Sequence, residues 1–424
     1  MMNVNVFGLG HVGLPMACFA AMAGKKVTGI DTNPALIEQI MTGTVNIFEY
    51  SNGIHIAHLA EDLIEHGTMH VGTCFAREDT EPAVFIVSVG IKSSADFGQD
   101  LAPLQDVTNT LLPCLVNGDL IIFRTTLIPG TLDSLVVPSI KSLTAKVLLA
   151  YCPETVSETA AFSELAANPM VIAGFDDESF DAAAAFFGSI SQAPIHRAST
   201  LKTAELVKVV QNVARDVNIA LVNELSEAAS ALGVDIYEVT RLANTHPRVE
   251  LLKPGPGVGG YCLPNALVYL ESALKNNQQK LPLTSTARRC NLARPKKVAQ
   301  FVEDKLWEKG IMIEEAQIAV IGLAMKDNCA DCRYSPAVDI VTALVVKGAD
   351  VRAFDPVVGQ IFPFQVDSLA ECLSGADCLL ITASQPGLEF DLSQMEELMA
   401  GQLVIDTRDA LAGAGVNGWE IYRF

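Results

Sequence analysis

Two doubly wound α/β units joined by a helical segment with one long helix: this is the architecture the sequence predicts, and three observations carry it. Apolar runs of strand length alternate with amphipathic stretches over residues 1–198. A stretch free of glycine and proline, rich in Ala, Leu, Val and Glu, then follows at Lys202–Leu232. The strand and helix alternation resumes over residues 300–424. Strand, helix, strand at this spacing gives a Rossmann-like parallel sheet covered by helices. The expected domains are therefore 1–198, 199–299 and 300–424.

In the first part the strand-like runs are Val4–Phe7, Lys26–Asp31, Val84–Val89, Leu120–Phe123 and Val147–Ala150, with helical patterns such as Pro15–Ala23 and Leu104–Leu115 between them. Lys202–Leu232 reads as one helix ended at Gly233. A loop at Lys253–Pro264 follows, then more helix. Arg294–Lys309, with Pro295 near its start and Gly310 just beyond, reads as a connecting helix. Strands at Ile318–Ile321, Asp350–Phe354, Cys378–Thr382 and Leu403–Asp406, with a helix at Ser335–Lys347, complete the third part.

Composition narrows the class of partner. Half of the 424 residues are hydrophobic and 18% are charged, enough apolar material for several cores. Lys and Arg number 29 against 49 Asp and Glu, a net charge of −20. Such a field opposes nucleic acid and anionic membranes, and an anionic substrate would need a locally basic pocket. No apolar run reaches the ~18 residues of a membrane span. The first residues run directly into a strand with no basic, apolar leader. Ten scattered cysteines fit reduced thiols, most of them core filler. The expected setting is the cytoplasm.

The strand Val4–Phe7 runs into Gly8-Leu9-Gly10-His11-Val12-Gly13 and then a helix. In such a G-x-G-x-x-G loop Gly8 allows the tight turn, Gly10 admits a pyrophosphate to the backbone, and Gly13 lets the helix close on the strand. The phosphates rest at the helix N-terminus. Asp31, ending the next strand, can accept from both ribose hydroxyls, which favours NAD over NADP. His11 and Val12 complete the cofactor loop, His11 as a spacer rather than a base.

Lys253–Pro264 holds four glycines between Gly255 and Gly260, then Tyr261 and Cys262. A loop this permissive can present a thiol to a ligand, although Cys262 taken alone reads at least as well as a core cysteine. Lys208 and Asn212 are one helical turn apart, so together they can hold an alkoxide or a water; the spacing fits a solvated face equally. Glu154 follows a strand-like run, at the sheet edge where ligands bind. Cys329-Ala330-Asp331-Cys332 spells C-x-x-C, but no second Cys or His pair completes a zinc site, and no metal is expected.

Taken in order, these segments resemble the UDP-glucose/GDP-mannose dehydrogenase family. The resemblance runs through Gly8–Gly13 with Asp31, Thr125-Thr126 with Pro129-Gly130-Thr131, and Cys152-Pro153-Glu154 with Glu158. It continues through Glu205–Lys208 with Asn212, Asn223-Glu224, Pro254–Cys262, Gly322–Lys326, Arg333–Pro336, Asp355-Pro356 and Asp406-Thr407-Arg408. His246-Pro247-Arg248-Val249 before the glycine loop is most similar to the UDP-N-acetylmannosamine and related UDP-acetamidosugar branch; UDP-glucose and GDP-mannose remain the alternative substrates.

The resemblance implies oxidation of a sugar C6 alcohol to a carboxylate by two hydride transfers to NAD, with Cys262 carrying a thiohemiacetal and then a thioester. Lys208 and Asn212 would stabilise the oxyanions, Glu154 would serve as base for thioester hydrolysis, and Thr126 would position water or the nicotinamide. Lys326 would serve both cofactor and substrate, and Arg333 the nucleotide diphosphate. Gly259 would line the sugar site and Arg248 would reach the sugar across a homodimer built on the central helix. One departure stands out. The family carries Asp four residues after this Cys; here the residue is Ala266. That change admits a catalytically impaired UDP-sugar-binding paralogue as the rival reading. The family's Gly after Glu158 is replaced by Thr159, a change expected to matter less.

Overall fold

The computed structural model describes residues 3–77, 80–92, 99–277, 279–359, 361–412 and 418–424. The chain forms two compact units. One comprises Met1–Gln211 with Val268–Gln279, the other Asn212–Leu267 with Lys280–Phe424.

Strands of the first unit are β1 (Val4–Phe7), β2 (Val27–Ile30), the short hairpin pair β3 (Tyr50–Ser51) and β4 (Ile54–His55), β5 (Met69–Gly72), β6 (Val84–Val87), β7 (Leu120–Phe123), β8 (Leu148–Tyr151), β9 (Met170–Gly174) and β10 (Ile195–Arg197). Its main sheet runs β10-β9-β8-β7-β6-β1-β2-β5. All four residues of β1, β6, β7 and β8 are buried, as continuous apolar strands with both faces covered must be. Two clusters of buried side chains, one holding Val4 and Val6 and the other Phe7, pack the two faces.

The sheet is not wholly parallel. β9 runs antiparallel to β8, and β10 runs parallel to β9. The sequence reading missed this extension, which comprises the apolar run Met170–Gly174 and the three-residue edge strand Ile195–Arg197.

Strands of the second unit are β11 (Gln317–Ile321), β12 (Asp350–Phe354), β13 (Cys378–Ile381), β14 (Leu403–Asp406) and β15 (Glu420–Arg423), in the order β12-β11-β13-β14-β15. All its pairings are parallel. Each sheet therefore has a point where the strand order reverses, β6-β1-β2 in the first and β12-β11-β13 in the second, with ligand crevices expected outside the C-terminal strand ends there.

The long helix spans Leu201–Leu232. Gly233 ends it at φ +69°, and the Val234 N–H reaches back to the Ala229 carbonyl, a left-handed cap. Two helix boundaries differ from expectation. Pro295 does not lie near a helix start; it lies inside one helix, Pro282–Glu308, whose N-terminal proline is Pro282. The buried Pro295 ring stands where a Cβ on Gly257 would meet it at 3.2 Å, so it walls the glycine loop. The other helix begins at Cys262 itself and runs to Leu274, with Pro264 in its first turn, where a missing N–H is harmless. Among the described residues no helix is long and apolar enough to cross a membrane.

Candidate active site

The reversal point of the first sheet holds the glycine loop. Gly8 has φ +86°, and a Cβ there would lie 2.8 Å from the Ser88 carbonyl oxygen. A Cβ on Gly13 would lie 1.7 Å from the Gly8 oxygen, whereas Gly10 faces open space. These are the three roles the loop needs: turn, packing and room for a phosphate. Asp31 accepts from the Leu9 N–H at 2.8 Å and the Asn33 N–H at 2.9 Å, and stays half-buried with lone pairs to spare. The Ser88 hydroxyl, buried against this loop, has no hydrogen-bond partner among the described residues. The residues present fit a dinucleotide. His11 is exposed, 3.9 Å from Glu158.

Thr126 and Glu154 follow the adjacent strands β7 and β8. The Thr126 carbonyl accepts from Gln99 at 2.9 Å, and Gln99 in turn accepts from the Ile128 N–H. Glu154 is buried and ion-paired with the buried Arg124, and accepts from the N–H groups of Thr155 and Val156 at 2.7 and 2.8 Å. Burial pushes the Glu154 carboxyl up, but the Arg124 guanidinium and these amides outweigh it and hold it below the usual carboxylate range. Neighbouring Cys152 is pushed up to about 11 by burial and stays a thiol. Glu205 is wholly buried and accepts from the N–H groups of Gly130 and Leu132, tying the Pro129–Thr131 turn to the long helix.

Lys208 and Asn212 lie one turn apart on that helix. Asn212 is 4% exposed.

In the second unit Cys262 is exposed and heads its helix, where the first-turn amides lack intrahelical partners. The loop before it is tightly enclosed. A Cβ on Gly259 would lie 2.5 Å from the Tyr334 oxygen, and one on Gly260 would lie 2.4 Å from the Met325 sulfur. Tyr261 packs edge-on against Tyr334, with the Arg333 guanidinium 4.8 Å above its ring. Arg333 is also paired with Asp331. Cys262, Gly259, Arg333 and the Met325-Lys326 segment thus converge, and Lys326, half-buried, makes no ion pair among the described residues. Arg248 stands apart on an exposed segment, its N–H donating to His246. Ala266 is 1% exposed on the second turn of the Cys262 helix.

The reversal point of the second sheet repeats the turn of the first. Gly322 has φ +92° and its Cβ would strike Ala383, while Asp355 accepts from the Leu323 N–H at 2.7 Å. Beyond β14, Arg408 pairs with Asp327. A cavity of about 460 Å³ lies nearby, lined by Asp235, Tyr237, Thr240, Lys253, Asp409 and Arg423 among others. The Tyr237 and Thr240 hydroxyls are buried on it with no hydrogen-bond partner among the described residues. Burial pushes the Tyr237 phenol well up, so it stays a donor. A second cavity, about 550 Å³ in the first unit, contains none of the predicted site residues.

Sequence reasoning missed Arg124, Arg288, Arg294 and this pair of hydroxyls. The only available signal was an arginine directly after an apolar run, at Arg124, and two arginines inside a helix, at Arg288 and Arg294. All ten cysteines are free, and among the described residues no group of three His, Cys, Asp or Glu could hold a metal.

Comparison with known proteins gives the family. Residues 2–188 match the NAD binding domain of the UDP-glucose/GDP-mannose dehydrogenase family, 202–293 its central domain and 319–413 its UDP binding domain. The chain is 33% identical over 416 residues to the UDP-N-acetyl-D-mannosamine dehydrogenase of Methanocaldococcus jannaschii, covering 96% of this chain and 92% of that protein. It is 33% identical to the enzyme of that name from Pyrococcus horikoshii, covering 97% and 96%. The solved structure of the UDP-D-ManNAc dehydrogenase from Pyrococcus horikoshii superposes with a TM-score of 0.88 at 32% identity over 100% of this chain and 99% of that one. The UDP-N-acetyl-mannosamine dehydrogenase of Staphylococcus aureus gives 0.84 at 28%, over 99% and 98%.

Proposed function

The chain belongs to the UDP-glucose/GDP-mannose dehydrogenase family, and we propose that it oxidises the C6 alcohol of UDP-N-acetylmannosamine or a related UDP-acetamidosugar to the uronate. It is an NAD-dependent UDP-sugar dehydrogenase, and NAD supplies the hydride acceptor for both oxidations. The observation that carries the site is the exposed Cys262 at a helix start, behind a glycine loop packed against Met325, Arg333 and Tyr334.

In the proposed sequence Lys208 and Asn212 stabilise the alkoxide as the first hydride leaves C6. The Cys262 sulfur then bonds to the aldehyde carbon, and the hemithioacetal loses a second hydride to become a thioester. Water adds to that thioester, Glu154 accepts its proton, and the thiol departs. The sum is alcohol, water and two NAD⁺ giving carboxylate, two NADH and three protons. Arg124 keeps Glu154 ionised and in place at some loss of basicity. Thr126 positions water or the nicotinamide, and the Gly8–Gly13 loop with His11, Val12 and Asp31 holds the dinucleotide. Lys326 and Arg333 attract the diphosphate, Gly259 admits the sugar, and the cavity at Tyr237 and Thr240 offers hydrogen bonds to the rest of the nucleotide. The 1–198, 199–299 and 300–424 division, a cytoplasmic setting that keeps Cys262 reduced, and a homodimer through the long helix belong to the same reading. Leu206, Val210, Leu221 and Leu225 are exposed apolar residues on that helix. Arg248 would serve the partner's sugar.

Ala266 favours one rival, a UDP-sugar binder without turnover. NADH absorbance with a panel of UDP-sugars separates the two. The expected result is NADH with UDP-N-acetylmannosamine and a roughly thousand-fold or greater loss in Cys262→Ala. Binding of every sugar with oxidation of none would establish the rival.

A further inference from the structure

The segment Pro254–Gly260 carries four glycines, two prolines and one valine, so its own side chains offer nothing polar to fix its shape. A glycine-rich chain loses much conformational entropy when ordered, and partners outside the loop must supply the compensating bonds. Three buried side chains of the second unit do so. Asn223 accepts from the Gly255 N–H at 2.9 Å, Arg294 Nε donates to the Gly255 carbonyl at 3.1 Å, and Arg288 Nη2 donates to the Val258 carbonyl at 3.4 Å. Gly260 adds a backbone bond to the Arg333 carbonyl at 3.0 Å.

The Gly255 contacts lie at the far end of the loop. The Val258 contact is four residues from Cys262, in the span that sets where the sulfur starts. Arg288 is 8% exposed. Its Nη1 donates to Asp216 at 2.8 Å, and Asn291 donates to both the side-chain and the main-chain oxygen of Asp216, each at 2.8 Å. The guanidinium is therefore held rigidly from behind and faces the loop in front. The buried Arg288 Nε has no hydrogen-bond partner among the described residues. The Val258 bond is long for an N–H···O contact.

We propose that Arg288, braced by Asp216 and Asn291, is a positioning residue that sets the Cys262 thiol through the Val258 carbonyl. The inference rests on Cys262 being the nucleophile. It assigns Arg288 no bond to the reacting carbon.

The test uses the full-length enzyme, with kcat, KM for UDP-N-acetylmannosamine, Kd for NAD, melting temperature, and the rate at which iodoacetamide alkylates Cys262. Arg288→Lys keeps a charge for Asp216 but lacks the fork to reach Val258 as well. It should lower kcat at least ten-fold and change the alkylation rate several-fold, with KM and NAD affinity within about two-fold of the parent. Asp216→Asn, a milder change that leaves Arg288 in place but less firmly held, should move the same two readings in the same direction by a smaller factor. Guanidinium ion at tens of millimolar should restore part of the kcat lost in Arg288→Ala. If Arg288→Lys and Asp216→Asn alkylate and turn over like the parent, Arg288 positions nothing. If kcat, NAD affinity and melting temperature all fall together without guanidinium rescue, its role is folding alone and the inference is overturned. Oxidation that survives in Cys262→Ala would instead sink the nucleophile assignment, a separate outcome.

Discussion

The two nucleotide folds use one local device in opposite ways. In each, a strand ends in a glycine at positive φ, Gly8 at +86° and Gly322 at +92°. In each, the next residue's N–H is held by an aspartate at the end of the neighbouring strand, Leu9 by Asp31 at 2.8 Å and Leu323 by Asp355 at 2.7 Å. The difference is in what else the aspartate does. Asp31 is half-buried and accepts from one further amide, of Asn33. Asp355 is 6% exposed and accepts also from the N–H groups of Ala324, Val357 and Val358 and from the Gln385 amide. A carboxylate with oxygens to spare can read a ribose; one whose oxygens are taken builds a loop. In the proposed reading the second fold leaves ligand recognition to cations, Lys326 and Arg333, where the first would use an acid and bare amides.

The largest expected effect breaks this comparison at Asp355. Asp355→Ala orphans several buried donors at once, each worth about 1–3 kcal/mol and not additive, so a loss on the order of 5 kcal/mol is expected. Urea unfolding should report it, while NAD binding by the first unit stays intact. Asp31→Ala should do the reverse: a small shift in the unfolding midpoint, but NAD affinity lowered roughly 10- to 100-fold, the worth of charge-assisted hydrogen bonds of about 1.5–3 kcal/mol. Equal stability losses at the two positions would refute the distinction. Lys326→Ala comes next, with UDP affinity reduced on the order of ten-fold and less sensitive to salt than the parent's, measured calorimetrically.

Acid should expose another asymmetry within the first unit. Glu154 has a carboxyl held below the usual range in the folded state, so its contribution is present above the unfolded value, near 4.5, and is lost as pH falls through the lower folded value. Unfolding free energy should fall over that interval, and Glu154→Gln should flatten the slope there.

How legible was this in the sequence? The central strands were read nearly to the residue, because strands buried on both faces are unbroken apolar runs. β9 and β10 were not: β10 is three residues at the sheet edge, and β9 beside it is an apolar run that the reading passed over. The glycine loop and Asp31 were readable because each glycine answers a steric demand that no other residue meets. Arg124 and Arg288 were not. Their meaning lies in partners 30 and 72 residues away, Glu154 and Asp216, and only the fold brings these together. The start of the Cys262 helix was hidden for a related reason: Pro264 looked like a loop residue but occupies the one helical turn that tolerates proline.

Thr159 was expected to matter little, yet it brings the comparison of backbone turns to its finest point. Gly8 and Gly322 occupy positive φ with no Cβ; Thr159 occupies it, at φ 75°, with a branched one. It is kept there by its surroundings: its N–H donates to Glu49 at 2.7 Å, and the other Glu49 oxygen accepts from Ala161 at 2.9 Å, with Glu49 itself 2% exposed. A left-handed conformation costs a non-glycine residue on the order of 1–2 kcal/mol, and more for a β-branched one. Glycine gives some of this back through its freer unfolded chain. Thr159→Gly is therefore expected to stabilise the first unit by about 1 kcal/mol, seen as a rise of a few degrees in melting temperature. Thr159→Ala, which keeps a Cβ, should recover less than half of that. If alanine stabilises as much as glycine, the strain lies in the threonine branch and not in the backbone, and the likeness to Gly8 and Gly322 fails at this position.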